Sequence, residues 1–252
     1  MAAAARIEFR NVTRRFGDLV AVQDVTLAVA DGEVVSLIGP SGCGKSTLLN
    51  MGSGLYAASS GEVRVDGERV TGPNSHVAFM LQKDLLLPWR TIRENIELGL
   101  EIRKIPVGEK SLALMKRFRL DGFENAYPHQ LSGGMRQRAA LARTLAVEPT
   151  VLMMDEPFSA LDAQTKMVLQ QDLARTLAEE RKTTLFITHD LAEAVALSDR
   201  ILVMSARPGS IIEEIPVALP HRDNPMARRR EPRVGEYLAR LMELLHVEER
   251  TI

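Results

Sequence analysis

The chain has 252 residues, 45% of them hydrophobic and 26% charged, with a formal net charge of -1 at pH 7. This composition is typical of a globular protein rather than a disordered one, and a charge so close to zero gives no general electrostatic basis for binding nucleic acid. No apolar run approaches the ~18 residues that a membrane-spanning helix needs. Residues 1–5 are too short for a signal peptide and lack its basic start.

The single cysteine and a run of arginines indicate the compartment and the possible contacts of the chain. Cys43 is the sole cysteine, so an internal disulfide is impossible and a reducing cytoplasm fits best. Residues 228–230 are three consecutive arginines. We interpret this run as a solvated surface segment, with contact to a partner or to anionic lipid as the alternative.

The first third of the chain alternates between short strands and turns. Alternating or continuous apolar residues predict the strands, and one of these strands leads into a glycine-rich loop followed by a helix. Residues 61–70 alternate around Asp66 and Gly67, which indicates a β-hairpin. The other strands of this part are predicted over residues 7–12, 25–29, 33–38 and 76–82.

The pattern is then helical up to residue 147, after which strands and helices alternate to about residue 215. Such alternation predicts a mostly parallel sheet covered on both faces. We expect one continuous α/β domain over residues 1–252, with a helical insertion over about 83–147 and a tail from about 216. Helices are predicted over residues 92–102, 112–118, 132–146, 191–197 and 234–245, and strands over 151–155, 184–188 and 201–204.

The loop after the third strand has the spacing G-x-x-x-x-G-K-[ST], typical of a phosphate-binding loop when a strand precedes it and a helix follows. Its glycines let backbone N–H groups point at phosphate oxygens, and the helix start favours an anion. Lys45 is placed to reach the β- and γ-phosphates, and the Ser46 hydroxyl to ligate Mg²⁺. The sequence therefore predicts binding of a nucleoside triphosphate rather than a chance glycine-rich turn. The loop comprises Gly39, Pro40, Ser41, Gly42, Cys43, Gly44, Lys45, Ser46 and Thr47.

Two carboxylates, Asp155 and Glu156, end an apolar strand downstream of this loop. An acid at the end of a buried strand costs several kcal/mol if it is left unpaired, and a Mg²⁺ ion held at Ser46 would supply a partner. We predict that Asp155 completes the Mg²⁺ shell, usually through water, and that Glu156 polarises the attacking water. The alternative is a strand-end acid that caps the turn at Pro157.

A second candidate anion site lies where a helix begins after two glycines. Ser132 is a good N-cap, and a helix start free of side chains presents its N–H groups to an anion. The stretch LSGGMRQR resembles the signature motif of ATP-binding-cassette (ABC) ATPases. The residues that carry this motif are Leu131, Ser132, Gly133, Gly134 and Met135.

The resemblance to ABC ATPases implies further site residues. Gln82 matches the Q-loop glutamine, which senses Mg²⁺ and water and couples to the membrane partner, so the resemblance adds it to Ser46 and Asp155 as a candidate Mg²⁺ contact. The stretch from Ser159 to Asp162 resembles the D-loop, and His189 resembles the switch histidine that contacts the γ-phosphate. Phe16 falls where the family stacks an aromatic on adenine, with a core aromatic as the alternative.

The resemblance covers about residues 7–215 and implies both fold and assembly. The fold would be a P-loop NTPase core with an antiparallel β subdomain and a helical subdomain inserted between Q-loop and signature motif. Two cassettes of this family dimerise head to tail, so that each ATP lies between one chain's phosphate loop and the other chain's signature motif. This chain has one copy of each motif, which implies a second copy as partner. ATP joins the two halves, hydrolysis releases them, and the cycle drives a membrane permease.

Finer features resemble bacterial importers of the nitrate, sulfonate or taurine type. They are Leu87-Pro88-Trp89, residues 155–162 and residues 188–209, although that type usually has Gly where Ser159 stands. The resemblance implies a peripheral subunit at the cytoplasmic face of the cell membrane, with an integral permease and, indirectly, an extracytoplasmic substrate-binding protein as partners. Residues 85–89 belong either to the core of the helical insertion or to the surface that receives the permease.

Three alternatives compete with an importer subunit. Another class of ABC transporter shares the same ATPase machinery. A soluble ABC protein of DNA repair or translation would need a long coiled coil or two cassettes, and 252 residues hold neither. A non-hydrolysing module would usually lack Lys45, Glu156 or His189, all of which are present.

Overall fold

The computed structural model describes residues 5–159 and 161–249, and over these residues the strands form two sheets. One is antiparallel, with four strands in the order β2-β1-β4-β5, and the other has six in the order β10-β9-β3-β8-β7-β6. The strands are β1 (Ala5–Phe16), β2 (Leu19–Ala30), β3 (Val34–Ile38), β4 (Ser60–Val65), β5 (Glu68–Arg69), β6 (Val77–Met80), β7 (Val151–Asp155), β8 (Thr183–Ile187), β9 (Arg200–Met204) and β10 (Ile211–Pro216).

The six-stranded sheet is built from apolar segments because helices or a second sheet cover its two faces. Every residue of β3 is buried, and β3 lies between β8 and β9, parallel to both. β7 pairs in parallel with β6 and β8, whereas β10 is an antiparallel edge strand on β9. The predicted α/β fold with a mostly parallel sheet is confirmed.

Every helix predicted above is present, to within a few residues at its ends, whereas a short helix over residues 225–228 was not predicted. The second helix begins at a capping box, in which the Thr91 hydroxyl accepts from the Glu94 N–H (3.2 Å) and the Glu94 carboxylate accepts from the Thr91 N–H (2.7 Å). The second, third and fourth follow one another between β6 and β7, which is the predicted helical insertion. The helices are α1 (Lys45–Gly52), α2 (Ile92–Ile102), α3 (Lys110–Arg117), α4 (Gly133–Ala146), α5 (Ala163–Glu179), α6 (Leu191–Leu197), α7 (Pro225–Arg228) and α8 (Val234–Glu249).

The antiparallel sheet is more extensive than the sequence pattern indicates. β1 and β2 have 12 residues each, yet the apolar alternation breaks inside them because their pairing shifts register at several points. Asn11 and Asp24, at such shifts, adopt left-handed backbone conformations (φ +50° and +47°). The predicted hairpin of β4 and β5 is present, with Asp66 and Gly67 both left-handed at its turn.

Over the described residues, three apolar clusters pack around the six-stranded sheet. One, which includes Leu37, joins that sheet to α1 and to Phe9 of the antiparallel sheet. A second joins it to α4 and α5 through Leu141 and Leu173, and a third lies beneath α6 and α8. Burial on both sides therefore fixes the sheet whose strand ends carry the site.

The arginine run at 228–230 is the main correction to the sequence analysis. Arg228 is only 1% exposed, and its Nη2 donates to the Val217 carbonyl (3.2 Å). Arg229 is half-buried, and Arg230 alone is exposed. The interpretation as a solvated segment is wrong because Arg228 is the last residue of α7, which packs against α5 and α6.

Candidate nucleotide-binding site

The site lies at the edge of the sheet where its parallel strands end, the usual ligand position in an open α/β sheet. β3 leads directly into the phosphate loop, and β6, β7 and β8 end at the same edge. A cavity of about 640 Å³ opens there. The predicted residues that line it are Phe16, Gly39, Ser41, Gly42, Gly44, Lys45, Ser46, Thr47, Gln82, Asp155, Glu156 and His189.

The phosphate loop has the shape that its glycines permit. Gly44 precedes α1 with φ +107°, and a Cβ at this position would lie 2.6 Å from Val22 Cγ2. The loop can therefore lie close to β2 only with glycine there. Pro40 and Cys43 do not line the cavity, and the Cys43 side chain is buried in the apolar cluster beneath the loop. Cys43 thus serves as a small core residue.

Lys45, the first residue of α1, carries the positive charge of the loop. Its Nζ donates to the carbonyls of Gly39 (2.7 Å) and Pro40 (2.8 Å). The ammonium group therefore lies across the loop, next to backbone N–H groups at a helix start. A cation and oriented N–H groups together favour a bound phosphate.

Asp155 and Ser46 bring two oxygen ligands together at the floor of the cavity. Burial raises the pKa of Asp155, a hydrogen bond from the Ser46 hydroxyl opposes this rise, and the neighbouring Glu156 charge adds to it. A carboxylate and a hydroxyl are ligands that Mg²⁺ accepts, so these two residues fit the ion. Among the described residues no group of three His, Cys, Asp or Glu side chains is arranged to hold a metal. The other ligands would therefore come from water and from the phosphates.

Two predicted site residues, Gln82 and His189, contact the Glu156 carboxylate. Gln82 Nε2 donates to Glu156 Oε2 (2.9 Å), and His189 Nδ1 lies 3.3 Å from the same oxygen. The backbone of Glu156 is left-handed, with φ +47°. Such a conformation is unfavourable for a glutamate and concentrates at functional sites. The structure thus gathers Gln82, Glu156 and His189 around one carboxylate oxygen.

The signature residues lie away from this cavity. The Ser132 hydroxyl accepts from the Met135 N–H (3.3 Å) and caps α4 as predicted, but none of residues 131–135 lines the nucleotide cavity. Gly133 instead lines a second cavity of about 730 Å³, which also has Gln82 and Ser159 on its walls. A Cβ on Gly134 would lie 2.7 Å from Thr165 Cγ2, so close packing of α4 on α5 requires this glycine. The chain does not bring its own signature motif to its own phosphate loop.

The predicted D-loop connects Glu156 to α5. The Ser159 hydroxyl donates to the Glu156 carbonyl (3.1 Å). Asp162 caps α5 by accepting from the N–H groups of Gln164 (3.1 Å) and Thr165 (3.0 Å). Ala160 lies outside the described residues. The structure therefore gives Asp162 a local capping role.

Phe16 ends β1 at the rim of the cavity. Its ring is 41% exposed, so the alternative of a core aromatic is not supported. The Arg14 guanidinium lies 4.5 Å from the ring centroid, and Tyr56 meets the ring edge-on at 5.7 Å. These neighbours orient the ring but leave it available for stacking.

Comparison with known proteins agrees with the geometry. The family model for the ABC transporter matches residues 22–159. An uncharacterised ABC transporter ATP-binding protein of Methanocaldococcus jannaschii is 45% identical over 222 residues, which cover 85% of this chain and 83% of that protein. The chain belongs to the ABC transporter ATPase family.

Other ABC relatives include a named importer subunit and solved cassettes. The aliphatic sulfonates import ATP-binding protein SsuB of Bacillus cereus is 43% identical over 209 residues, covering 83% of each chain. A dimeric, post-hydrolysis structure of the ATP-binding cassette MJ0796 with ADP and Pi has 33% identity and a TM-score of 0.74, covering 84% of this chain and 98% of that one. Another dimeric MJ0796 structure has 32% identity and a TM-score of 0.75, with the same coverages. The chain is thus the ATPase subunit of an ABC transporter.

The ABC site includes a charged residue, Arg207, that was not assigned from the sequence. Arg207 lines the nucleotide cavity, and its Nη2 donates to the Gly42 carbonyl of the phosphate loop (2.8 Å). Gly209 packs so closely beneath the loop that a Cβ there would lie 2.0 Å from the Cys43 carbonyl oxygen. The Arg-Pro-Gly turn was visible in the sequence, but its contact with a loop about 165 residues earlier was not.

None of the helices in the described part of the chain is both long and apolar enough to cross a membrane. The exposed apolar residues instead include Leu85 and Trp89, of which Trp89 is 71% exposed, while Leu86 between them is buried. The segment over 85–89 is therefore neither wholly core nor wholly surface.

Proposed function

We propose that this ABC ATPase is the energy-coupling subunit of an importer for a small anion such as nitrate, a sulfonate or taurine. Two copies would bind ATP head to tail at the cytoplasmic face of the membrane, against an integral permease. An extracytoplasmic binding protein would deliver the substrate to that permease. The permease and the binding protein, rather than this chain, would then select the substrate.

The separation of the phosphate loop from the signature motif within one chain supports the dimer. Lys45 lines the nucleotide cavity and Ser132 does not, so a phosphate held at Lys45 would need a signature helix from another copy. The start of α4 is suited to that task because Gly133 lies in open space, where an added Cβ would meet little. Its N–H groups can therefore approach an anion closely. The dimeric state of the similar MJ0796 cassette agrees with this assembly.

The proposed catalytic roles follow from the contacts at Glu156. Gln82 fixes the carboxylate through Oε2, and Oε1 is then the oxygen that accepts a proton from, or polarises, the attacking water. His189 lies on the same side and would donate to the γ-phosphate, while Lys45 binds the β- and γ-phosphates. Together these residues position the water and stabilise the developing charge.

Ser46 and Asp155 are the residues that would hold Mg²⁺, with Gln82 near enough to sense its water shell. The ion, when bound, supplies charge neutralisation on the β- and γ-phosphates. Ser46 and Asp155 both line the cavity, and the Ser46 hydroxyl favours the ionised form of Asp155 by lowering its pKa. Asp155 is ionised most easily when a cation lies beside it, because burial alone disfavours its charge.

The importer assignment rests on sequence similarity and on the exposed apolar residues Leu85 and Trp89. The sulfonate importer subunit of Bacillus cereus supports the substrate class. Leu85 and Trp89 are exposed apolar residues a few positions after Gln82, which suits a permease contact that affects the ATP site. We propose that the chain acts as one ABC ATPase unit, with the insertion over 83–147 facing the permease.

Co-purification tests the permease and substrate class. We would tag the chain in its native host, extract membranes in mild detergent, and identify its partners by mass spectrometry. A stoichiometric multi-span protein and its binding protein are expected, and the ligand of that binding protein names the substrate. Trp89→Ala should weaken recovery, whereas Met242→Ala, which removes an exposed apolar residue on α8, should not. Recovery without any membrane protein would contradict the proposal and favour a soluble ABC function.

A further inference from the structure

Both chain neighbours of His189 are held by one partly buried polar cluster. The Thr188 hydroxyl donates to the carboxylate of Glu193 on α6, and the Asp190 N–H donates to the Thr188 hydroxyl (3.0 Å). Lys166 on α5 donates to the Asp190 carboxylate (2.8 Å) and forms an ion pair with Glu193. The backbone on either side of His189 is therefore fixed by side chains of two helices.

The same cluster extends to the arginine run of the tail. Gln170 on α5 donates through Nε2 to Glu193 (3.0 Å), and Arg229 donates through Nη2 to the Gln170 side-chain oxygen (2.6 Å). Gln170 and Glu193 are almost completely buried. A continuous series of hydrogen bonds thus runs from Arg229 through Gln170 and Glu193 to Thr188.

The charges of the cluster balance only when the tail is present. Lys166 and Arg229 supply two positive charges, and Asp190 and Glu193 supply two negative ones. Burial opposes the charge on Lys166, but hydrogen bonds to Asp190 and Glu193 outweigh it and raise the pKa of Lys166. Lys166 contacts both the half-buried Asp190 carboxylate and the buried Glu193 carboxylate. Arg229 reaches this pair only through Gln170, so its loss would remove the donor to the Gln170 side-chain oxygen and weaken the support of Glu193.

Stability is a poor explanation for the position of Arg229. Its Nε is buried and has no hydrogen-bond partner among the described residues, and an unsatisfied buried donor weakens a fold. The segment that carries it is anchored independently of this arginine. Arg228 donates to the Val217 carbonyl, Arg222 pairs with Asp199 (2.9 Å), and Gln171 donates to the Asp223 carbonyl (2.9 Å).

We propose that Arg229 is a positioning residue for His189, acting through Gln170, Glu193 and Thr188. The tail segment that carries Arg229 then helps to hold the loop around His189 in the position where His189 contacts Glu156. This inference rests on the proposed role of His189 in hydrolysis. It assigns a task to a segment that the nucleotide site itself does not use.

Hydrogen exchange and kinetics on the full-length chain test the inference together. In Arg229→Gln, amide exchange in residues 188–194 should rise on the order of tenfold, while exchange in β3 stays unchanged. The kcat for ATP should fall by about tenfold because small misplacements of a catalytic group are expensive, and KM should change less than about twofold. Arg229→Lys keeps a charged donor and should recover most of the rate.

Two further variants separate positioning from a loss of structure. Arg230→Gln removes the same charge one residue later, and Arg230 has no side-chain hydrogen bond or ion pair to the described residues, so exchange and kcat should match the wild type. Gln170→Leu interrupts the series in its middle and should reproduce the effect of Arg229→Gln. Unchanged exchange over 188–194 in both Arg229→Gln and Gln170→Leu would overturn the inference.

His189→Ala distinguishes failure of the inference from failure of the proposed function. If His189→Ala lowers kcat but Arg229→Gln changes neither kcat nor exchange, positioning by Arg229 is refuted and the role of His189 stands. If His189→Ala keeps the full rate, the role of His189 is refuted, and the inference falls with it. If both lower kcat and the double variant is no slower than His189→Ala alone, the two residues act through one path.

Discussion

Gln82 Nε2 and Glu156 Oε2 are 2.9 Å apart, joined by a hydrogen bond between the ends of two neighbouring strands. Gln82 follows β6 and leads into the helical insertion, whereas Glu156 follows β7 at the nucleotide cavity. Any movement of the insertion that displaces Gln82 therefore changes the support of the Glu156 carboxylate. The exposed residues Leu85 and Trp89 are only a few positions further along the same segment.

Glu156→Gln should bind Mg-ATP but hydrolyse it at least about 100-fold more slowly, because an amide cannot act as general base. The variant should accumulate as an ATP-bound dimer, measured by light scattering, with the rate measured by phosphate release. Glu68→Gln, on the exposed strand β5, should behave as the wild type. Normal turnover in Glu156→Gln would remove Glu156 from the catalytic role.

Mixing two inactive variants tests the head-to-tail dimer. Lys45→Ala should lose about tenfold or more in ATP affinity by calorimetry, since a hydrogen bond to a charged group is lost, whereas Lys116→Ala on α3 should not. Ser132→Arg should block the signature helix. A mixed dimer joins the intact Lys45 of one copy to the intact Ser132 of the other, so an equal mixture should recover about a quarter of the activity. No recovery on mixing would contradict an ATP shared between copies.

Phe16→Ala should weaken ATP binding by about two- to tenfold, the range expected for loss of one aromatic stacking contact. Binding of inorganic tripolyphosphate, which has no base, should be unaffected. Phe16→Trp should restore affinity for ATP. Equal losses for ATP and tripolyphosphate in Phe16→Ala would show that the ring supports the loop rather than the adenine.

Asp172 on α5 provides a pH-dependent control away from the site. Burial raises the pKa of Asp172 above its usual value, against the attraction of nearby arginines. The folded chain therefore holds this proton more tightly than the unfolded chain, and stability is lost as the pH rises through the folded pKa. Asp172→Asn should raise the melting temperature at pH 7, and the gain should shrink as the pH falls below the folded pKa. ATPase activity should not change, and a gain that persists at low pH would contradict burial as the cause.

The chemistry of the site was predictable because its motifs are local. The phosphate loop, Asp155 with Glu156, and the start of α4 each combine a strand or helix boundary with residues whose chemistry is specific. Their convergence also follows from the sequence, since parallel strands end at one edge of a sheet. The resemblance to ABC ATPases pointed to Gln82 and His189 as site residues, and the structure adds that both lie against Glu156.

The features that the sequence did not reveal depend on long-range packing. Charge alone suggested that residues 228–230 are solvated, but a short helix directs Arg228 inward. The edge strand β10 was missed because Glu213 and Glu214 interrupt its apolar pattern, and its position follows only from pairing with β9. Arg207 reaches the phosphate loop through a turn whose neighbours are distant in sequence. None of these contacts leaves a periodic pattern of apolar residues in the sequence.

The central place of β3 has a consequence for synthesis of the protein. β3 emerges early from the ribosome, but its two sheet neighbours, β8 and β9, span Thr183–Ile187 and Arg200–Met204. Long-range pairing of this kind delays folding. We therefore expect the phosphate loop to reach its final shape only after β9, which ends at Met204, has been translated. Growing chains that carry the complete G-x-x-x-x-G-K-[ST] motif would then be unable to retain ATP, and truncated products would not compete for it in the cell.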